Sequence, residues 1–198
     1  MVGILLSLCL WPTGASPEDI TRGDRLLYER RYKEAIAFWK EALKRTPEDV
    51  ELLLRLGVAL SLKGDYVEAE GTFKRALQIK PEDPKLTYNL GLMYIRWGKD
   101  EEALRYLERT LKLADWYPEA NYHIGLLYEK RGLKDEALKF YLREVNENPA
   151  CVGAWRRIFA LRDLEGPRRG DVPTWAVVLV LGAAGTLLYR LATRRGEP

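Results

Sequence analysis

The side chains that most often carry out catalysis are few and scattered in this chain. His123 is the only histidine among 198 residues, so the chain contains no multi-histidine metal site and no histidine pair for acid–base work. Cys9 and Cys151 are the only cysteines, and their spacing matches neither a zinc motif nor a Cys-x-x-Cys motif. The glycines are spread along the chain rather than gathered in a phosphate-binding loop. We therefore expect no enzyme, no cofactor and no metal site.

The distribution of charge argues against nucleic acid as a partner. Between Ser16 and Glu165 the chain contains 27 Lys and Arg residues and 27 Asp and Glu residues, so this segment is neutral. The formal net charge of +3 comes from the residues after Glu165. A nucleic-acid-binding domain would instead carry a basic patch on its folded part. We expect no nucleic-acid partner.

Small residues recur along the chain at a fixed period of about 34 residues, which is typical of arrays of helical hairpins. We expect the recurring glycines and alanines where paired helices approach closely, and the later aromatic residues between neighbouring hairpins. The alanines in this series are Ala35, Ala69, Ala103 and Ala137, and the glycines are Gly23, Gly57, Gly91 and Gly125.

The most regular repeat begins at Val50 and carries the residues of a known pattern. It contains L-x-x-L-G ending at Gly57, A-x-x-x-F ending at Phe73, and a closing Pro81. This pattern resembles the tetratricopeptide repeat (TPR). The resemblance implies an all-α fold, a right-handed superhelical array of about four TPR helix hairpins plus a capping helix. In this chain we expect a single transmembrane helix to follow the array.

The repeat period also predicts how the chain is divided. We expect the cap to cover the last repeat with its apolar residues, while Arg156, Arg157 and Arg162 lie on the outer, solvated side. The segments are a signal peptide or N-terminal hydrophobic segment at 1–15, repeats at about 16–49, 50–83, 84–117 and 118–151, a cap at 152–164, a linker at 165–171, a transmembrane helix at 172–191 and a short basic tail at 192–198.

Four pairs of a polar residue and a proline predict where helices begin. The polar side chain would accept hydrogen bonds from the first amides of a helix, and proline is tolerated in the first turn. The pairs are Ser16–Pro17, Thr46–Pro47, Asp83–Pro84 and Asn148–Pro149.

The two apolar ends of the chain predict attachment to a membrane. The segment 1–15 is too short to span a bilayer but suits a secretory signal, although no basic residue precedes its apolar core. Residues 172–189 contain no charge and carry Trp175 and Tyr189 towards their two ends, as a transmembrane helix does. Export would place the repeats outside the cytoplasm, periplasmic or on the cell surface. The alternative is a tail-anchored protein whose repeats face the cytosol.

In the TPR family the first helix of each hairpin lines a concave groove, and the resemblance implies that a protein or peptide partner binds there. Tyr88 and Tyr122 lie one period apart, so their rings would stand side by side in the groove or, alternatively, pack between repeats. Lys85 and Asn89 match part of the carboxylate clamp of some TPR proteins, but the other clamp positions do not. The implied groove residues are Leu54, Arg55, Val58, Lys85, Tyr88, Asn89, Leu92, Arg96, Tyr122, His123, Leu126 and Lys130.

These expectations favour a membrane-anchored scaffold that binds a partner in its groove and helps assemble or localise a membrane or envelope complex. Two alternatives stay open. One is a cytosol-facing tail-anchored receptor, and the other is a structural subunit of a large membrane complex or polymer.

Overall fold

The computed structural model describes residues 17–162, and their side chains from residue 20 onward. The predicted signal peptide, linker, transmembrane helix and basic tail lie outside these described residues. Within residues 17–162, no helix combines the length and the apolar character needed to cross a bilayer.

From residue 17 to residue 162 the chain is entirely helical, with nine α-helices and no β-strand. The helices come in pairs whose first and second members are joined by short turns. Their bounds are α1 Pro17–Tyr28, α2 Tyr32–Arg45, α3 Val50–Lys63, α4 Tyr66–Ile79, α5 Pro84–Trp97, α6 Asp100–Leu113, α7 Ala120–Lys130, α8 Lys134–Glu147 and α9 Val152–Leu161.

The helices belong to two compact units, and the boundary between them falls within α6, after Ala103. In the first unit α1, α2, α3 and α4 each pack against the next helix, and α3 also packs against α5. In the second unit α8 packs against both α7 and α9. The superhelical path of the whole array stays a prediction.

In the first, second and fourth hairpins, an aromatic ring of the second helix lies directly over a glycine of the first. A Cβ atom added to Gly57 would lie 2.8 Å from the ring of Phe73, and one added to Gly125 would lie 2.5 Å from the ring of Tyr141. Gly23 and Trp39 form the same contact in the first hairpin. These rings therefore close their own hairpin. They also meet the following helix, as expected, since Arg55 of α3 lies over Trp39 and Tyr141 shares a buried cluster with residues of α9.

Two of the predicted helix starts are wrong. Thr46 follows the last residue of α2, and Asn148 follows the last residue of α8, so both polar–proline pairs lie in turns between helices. The residue next to each helix start is better placed to accept its amide hydrogens. Asp49 therefore caps α3, accepting from the amides of Glu51 and Leu52 at 2.9 and 3.1 Å.

The predicted cap at Asp83 is confirmed. Its carboxylate accepts from the amides of Lys85 and Leu86 at 2.8 and 3.2 Å, and Pro84 occupies the first turn of α5. The other end of this helix closes at Gly98, whose φ of 78° lies in the left-handed region that glycine adopts without strain. These two ends fix the length of α5 and hence the residues that its surface presents.

The contact between glycine and ring predicts opposite effects for two glycine-to-alanine substitutions. Gly57→Ala places a methyl group against the ring of Phe73, and we expect it to lower the free energy of unfolding by about 1–3 kcal/mol. Gly71→Ala is the matched control, because no atom lies within 4 Å of its added Cβ in α4. There we expect a gain of about 0.5–1 kcal/mol. Urea unfolding measures both, and equal losses in the two variants would contradict the packing described.

Candidate partner-binding face on the first helices

The residues that the sequence assigns to a groove lie on the first helices of three hairpins. Those on α3 and α5 belong to the first unit, and those on α7 belong to the second. Each unit therefore has a side that carries these positions, and we call it the first-helix face of that unit. In the first unit it is formed by α1, α3 and α5, and in the second by α7 and α9. Because Tyr88 and Tyr122 belong to different units, their side-by-side arrangement stays a prediction.

One of the assigned residues, Leu54, is part of the core. Its exposed fraction is only 4%, so it offers a partner almost no surface. The reason lies in the packing of neighbouring first helices, since α3 contacts α5. Tyr122, two periods later, meets α9 in the same manner, because a Cβ added to Gly153 would lie 3.0 Å from its ring.

Arg55 and Lys85 are held by ion pairs that join three first helices. The guanidinium of Arg55 binds the carboxylate of Asp24 on α1 and that of Glu51 on its own helix, the latter at 2.9 Å. The ammonium of Lys85 on α5 lies 3.0 Å from the same Glu51 carboxylate. Arg55 also lies over the ring of Trp39, 5.8 Å from its centroid. The two cations are therefore already paired, and we call this set the ion-pair ladder.

Asn89 also argues against a carboxylate clamp, because its side chain already has a partner within the protein. Its side-chain amide donates to the backbone carbonyl of Lys85 at 2.7 Å, within α5. Lys85 is bound to Glu51, so both residues that match the clamp already have partners within the first unit. Of the remaining assigned residues in the first unit, Arg96 is exposed, while Val58, Tyr88 and Leu92 are half-buried.

In the second unit, Tyr122 has a packing role. Its ring lies 5.9 Å from the ring of Tyr141 on α8 and touches Gly153 on α9. His123 stands edge-on to Tyr122 at 5.4 Å, and its Nε2 is 3.9 Å from a carboxylate oxygen of Glu119. The alternative in which the tyrosine packs between repeats therefore describes Tyr122. Leu126 is half-buried and Lys130 is exposed.

The cap helix α9 continues the first-helix face with two arginines that we had expected on the outer side. Arg156 lies one repeat period after Tyr122, and Arg157 lies one period after His123. Arg157 pairs with Glu129 on α7 at 3.2 Å. Arg156 is exposed and has no counter-ion among residues 17–162. The same repeat spacing that defined the groove in the other repeats is the signal that points to Arg156.

Glu144 is a fully buried acid at a position where the first two repeats have alanine. One carboxylate oxygen accepts from the amide of Glu119 at 2.9 Å and from the side chain of Asn148 at 3.3 Å. The other oxygen is buried without a partner in the described part of the chain. Glu119 has a φ of 62°, which is strained for a residue other than glycine. The hydrogen bond from its amide to Glu144 holds this backbone in place at the start of α7. Burial raises the pKa of Glu144 above its usual range.

Neither Glu144 nor Cys151 is placed for catalysis. Cys151 is buried next to the start of α9, and burial raises the pKa of its thiol. A thiol that stays protonated is a poor nucleophile. Over residues 17–162, no group of three or more His, Cys, Asp or Glu side chains is arranged to hold a metal ion.

The buried position of Glu144 predicts a pH effect on stability. Because the folded state raises the pKa of this carboxyl, it binds more protons than the unfolded state, and the free energy of unfolding falls as the pH rises through the raised pKa. Glu144→Gln keeps an acceptor for the Glu119 amide and removes the titration. We expect the variant to be more stable than the native chain at neutral pH and equal or less stable in acid. Urea unfolding across this range tests it, and parallel pH curves for both proteins would contradict it.

Comparisons with known proteins agree with this helical architecture. Three family models described as tetratricopeptide repeat match residues 20–84, 61–115 and 118–151. No curated protein matches the chain.

Among solved structures, three of MamA are similar to this chain. One has 26% identity and a TM-score of 0.62, covering 71% of this chain and 82% of that chain. A second has 24% identity and a TM-score of 0.61, covering 83% and 89%. The third, MamA from residue 41 to the end from Desulfovibrio magneticus RS-1, has 23% identity and a TM-score of 0.62, covering 74% and 82%. The last two show the fold alone.

The family models and the paired helices lead to the same conclusion. Residues 20–115 and 118–151 are tetratricopeptide repeats, and the chain is a helical-repeat scaffold for protein–protein interaction.

Proposed function

We propose that this scaffold is anchored in a membrane and holds a partner protein against its first-helix face. In this role it helps assemble or localise a membrane or envelope complex and carries out no chemistry of its own. The observation that carries the proposal is Arg156, an exposed cation without a counter-ion among residues 17–162, at the position where the preceding first helix has Tyr122.

The contrast between the units supports this choice of contact residue. In the first unit the ion-pair ladder pairs the charges of Arg55 and Lys85, although Arg96 on α5 is exposed. In the second unit Arg156 stands near a half-buried aromatic ring, since Tyr122 contacts Gly153, which precedes Arg156 in α9. Arginine and tyrosine are the residues that most often anchor protein interfaces. The partner surface would place a carboxylate opposite Arg156.

Membrane attachment is supported by the sequence alone. The uncharged segment 172–189 is long enough to cross a bilayer, and the basic residues that follow it favour a cytoplasmic tail. We propose that the repeats lie outside the cytoplasm, periplasmic or on the cell surface. The competing arrangement is a tail-anchored protein with cytosolic repeats, and accessibility of the repeats to added protease distinguishes the two.

A charge reversal on α9 tests the proposed contact. We expect Arg156→Glu to reduce binding of the native partner at least tenfold, because it sets two like charges against each other. The matched control is Lys112→Glu, which makes the same change of charge at an exposed site on α6. Both variants should unfold at the same temperature as the native chain, since neither side chain has an ion-pair partner among residues 17–162.

The measurement is quantitative co-purification from membranes of the native organism, with each variant compared with the native chain. A protein lost from Arg156→Glu and kept by Lys112→Glu is the expected result. An unchanged set of partners in both variants would instead favour the structural-subunit alternative, in which other faces make the contacts.

A further inference from the structure

A cleft of about 770 Å³ lies on the second unit, on the side of α6 and α8. Its walls come from the end of α6, the connection to α7, the first turn of α7 and the length of α8. The lining residues are Leu111, Asp115, Trp116, Asn121, Lys139, Leu142, Arg143, Asn146 and Glu147.

The first unit has the equivalent cleft, which serves as an internal comparison. It measures about 540 Å³ and lies between α2 and α4. Lys40 and Glu68 pair across it at 2.5 Å, and Arg75 donates to the carbonyl of Pro47. Five lining positions coincide at a distance of two periods: Leu43 with Leu111, Pro47 with Asp115, Leu53 with Asn121, Gly71 with Lys139, and Arg75 with Arg143.

The cleft of the second unit has no such closing contacts among the described residues. Lys139 and Asp115 are exposed, and neither has an ion-pair partner in the described part of the chain. Trp116 and Leu142 are large apolar residues that line the cleft and are 38% and 36% exposed. The cleft therefore combines an open apolar floor with an unpaired cation on α8 and an unpaired acid after α6.

Asn121 is the feature that points to a ligand. Its exposed fraction is 5%, it lines the cleft, and its side-chain amide forms no hydrogen bond with any residue from 17 to 162. The equivalent residue one period earlier, Thr87, bonds to carbonyls of its own helix, and two periods earlier the residue is the apolar Leu53. The Asn121 amide lines the cleft and is not bonded within the described part of the chain, so a group bound in the cleft can pair with it.

The groups around the cleft define what fits it. A side-chain amide offers a donor and an acceptor together, which is the complement of a backbone peptide group. Apolar side chains at Trp116 and Leu142 suit a bulky aliphatic or aromatic residue. Lys139 and Arg143, one helical turn apart on α8, suit a single carboxylate, while Asp115 and Glu147 on the same lining disfavour a ligand with several acidic groups.

We propose that this cleft binds an extended peptide segment of another protein. A peptide group of the segment pairs with the amide of Asn121, a bulky apolar side chain rests between Trp116 and Leu142, and a neighbouring Asp or Glu meets Lys139 and Arg143. The site is separate from the first-helix face, so the scaffold would hold two protein segments at once, one on each side of its second unit.

Selection from random dodecapeptides displayed on phage, with the full-length chain as bait, tests the proposal. We expect enriched peptides that carry a bulky apolar residue beside Asp or Glu. Asn121→Leu should lower their affinity at least tenfold, because it removes the amide and keeps the volume. This variant introduces the residue found at the equivalent position of the first unit, and thermal unfolding checks that it folds.

Leu142→Ser provides a second variant at an exposed position, and it should weaken the same peptides if the apolar contact is correct. Lys112→Glu is the control and should bind them as the native chain does. Peptides that bind Asn121→Leu and Leu142→Ser as tightly as the native chain would overturn the proposal, as would the absence of any enriched peptide. Peptides that lose binding only in Arg156→Glu would support the first-helix face and count against the cleft.

Discussion

An aromatic ring packed onto a glycine closes the first, second and fourth hairpins of this scaffold, and the other contacts depend on it. Gly57 and Phe73 have the same separation along the chain as Gly125 and Tyr141, and each contact joins the two helices of one hairpin. Because the ring occupies the space of a missing side chain, the helices approach closely along one edge. Each hairpin then presents one helix to each side of the unit. The first-helix face and the cleft on α6 and α8 both follow from this arrangement.

The two units differ in how the charges of their first helices are paired. In the first unit, Asp24, Arg55, Glu51 and Lys85 form ion pairs across three helices, while Arg96 on α5 is exposed. Exposed ion pairs of this kind add little stability each, about 0–1 kcal/mol, so their main effect is to neutralise the charges on the face. In the second unit, Arg156 and Lys139 lack counter-ions within residues 17–162. We propose that the second unit recognises the partner, because Arg156 stands there at the repeat position of Tyr122.

Local signals in the sequence predicted the elements well. The repeat period predicted the helical pairs, and Asp83 before Pro84 predicted the start of α5, because both depend on neighbours close in the chain. Thr46 and Asn148 misled for the same reason: a polar–proline pair suits a turn as well as a helix start, and only the backbone geometry decides. Arg156 was expected on the outer, solvated side of the cap and is exposed, whereas its place one period after Tyr122 gained meaning only from the packing of α9.

The candidate site was less predictable, because its character depends on partners far apart in sequence. The sequence suggests that Arg55 is free to bind a partner, whereas the fold places Asp24 of another helix beside it as an ion-pair partner. Glu144 gave no sign that its carboxylate reaches the backbone of Glu119. The missing partner of Asn121 likewise cannot be inferred from composition or spacing. Whether a polar residue has a hydrogen-bond partner depends on which groups the fold places beside it, and the sequence does not show this.

We propose a scaffold whose repeats bind a partner outside the cytoplasm and whose C-terminal segment anchors it in the membrane. Protease protection of the membrane-bound protein, with one tag after Ser16 and another at Pro198, tests it most directly. The account predicts that protease added to the outer face removes the repeats and the first tag, while the tag at Pro198 survives. Survival of the repeats under the same treatment, with their loss only after the cytoplasmic face is opened, would contradict it and establish the cytosol-facing receptor instead.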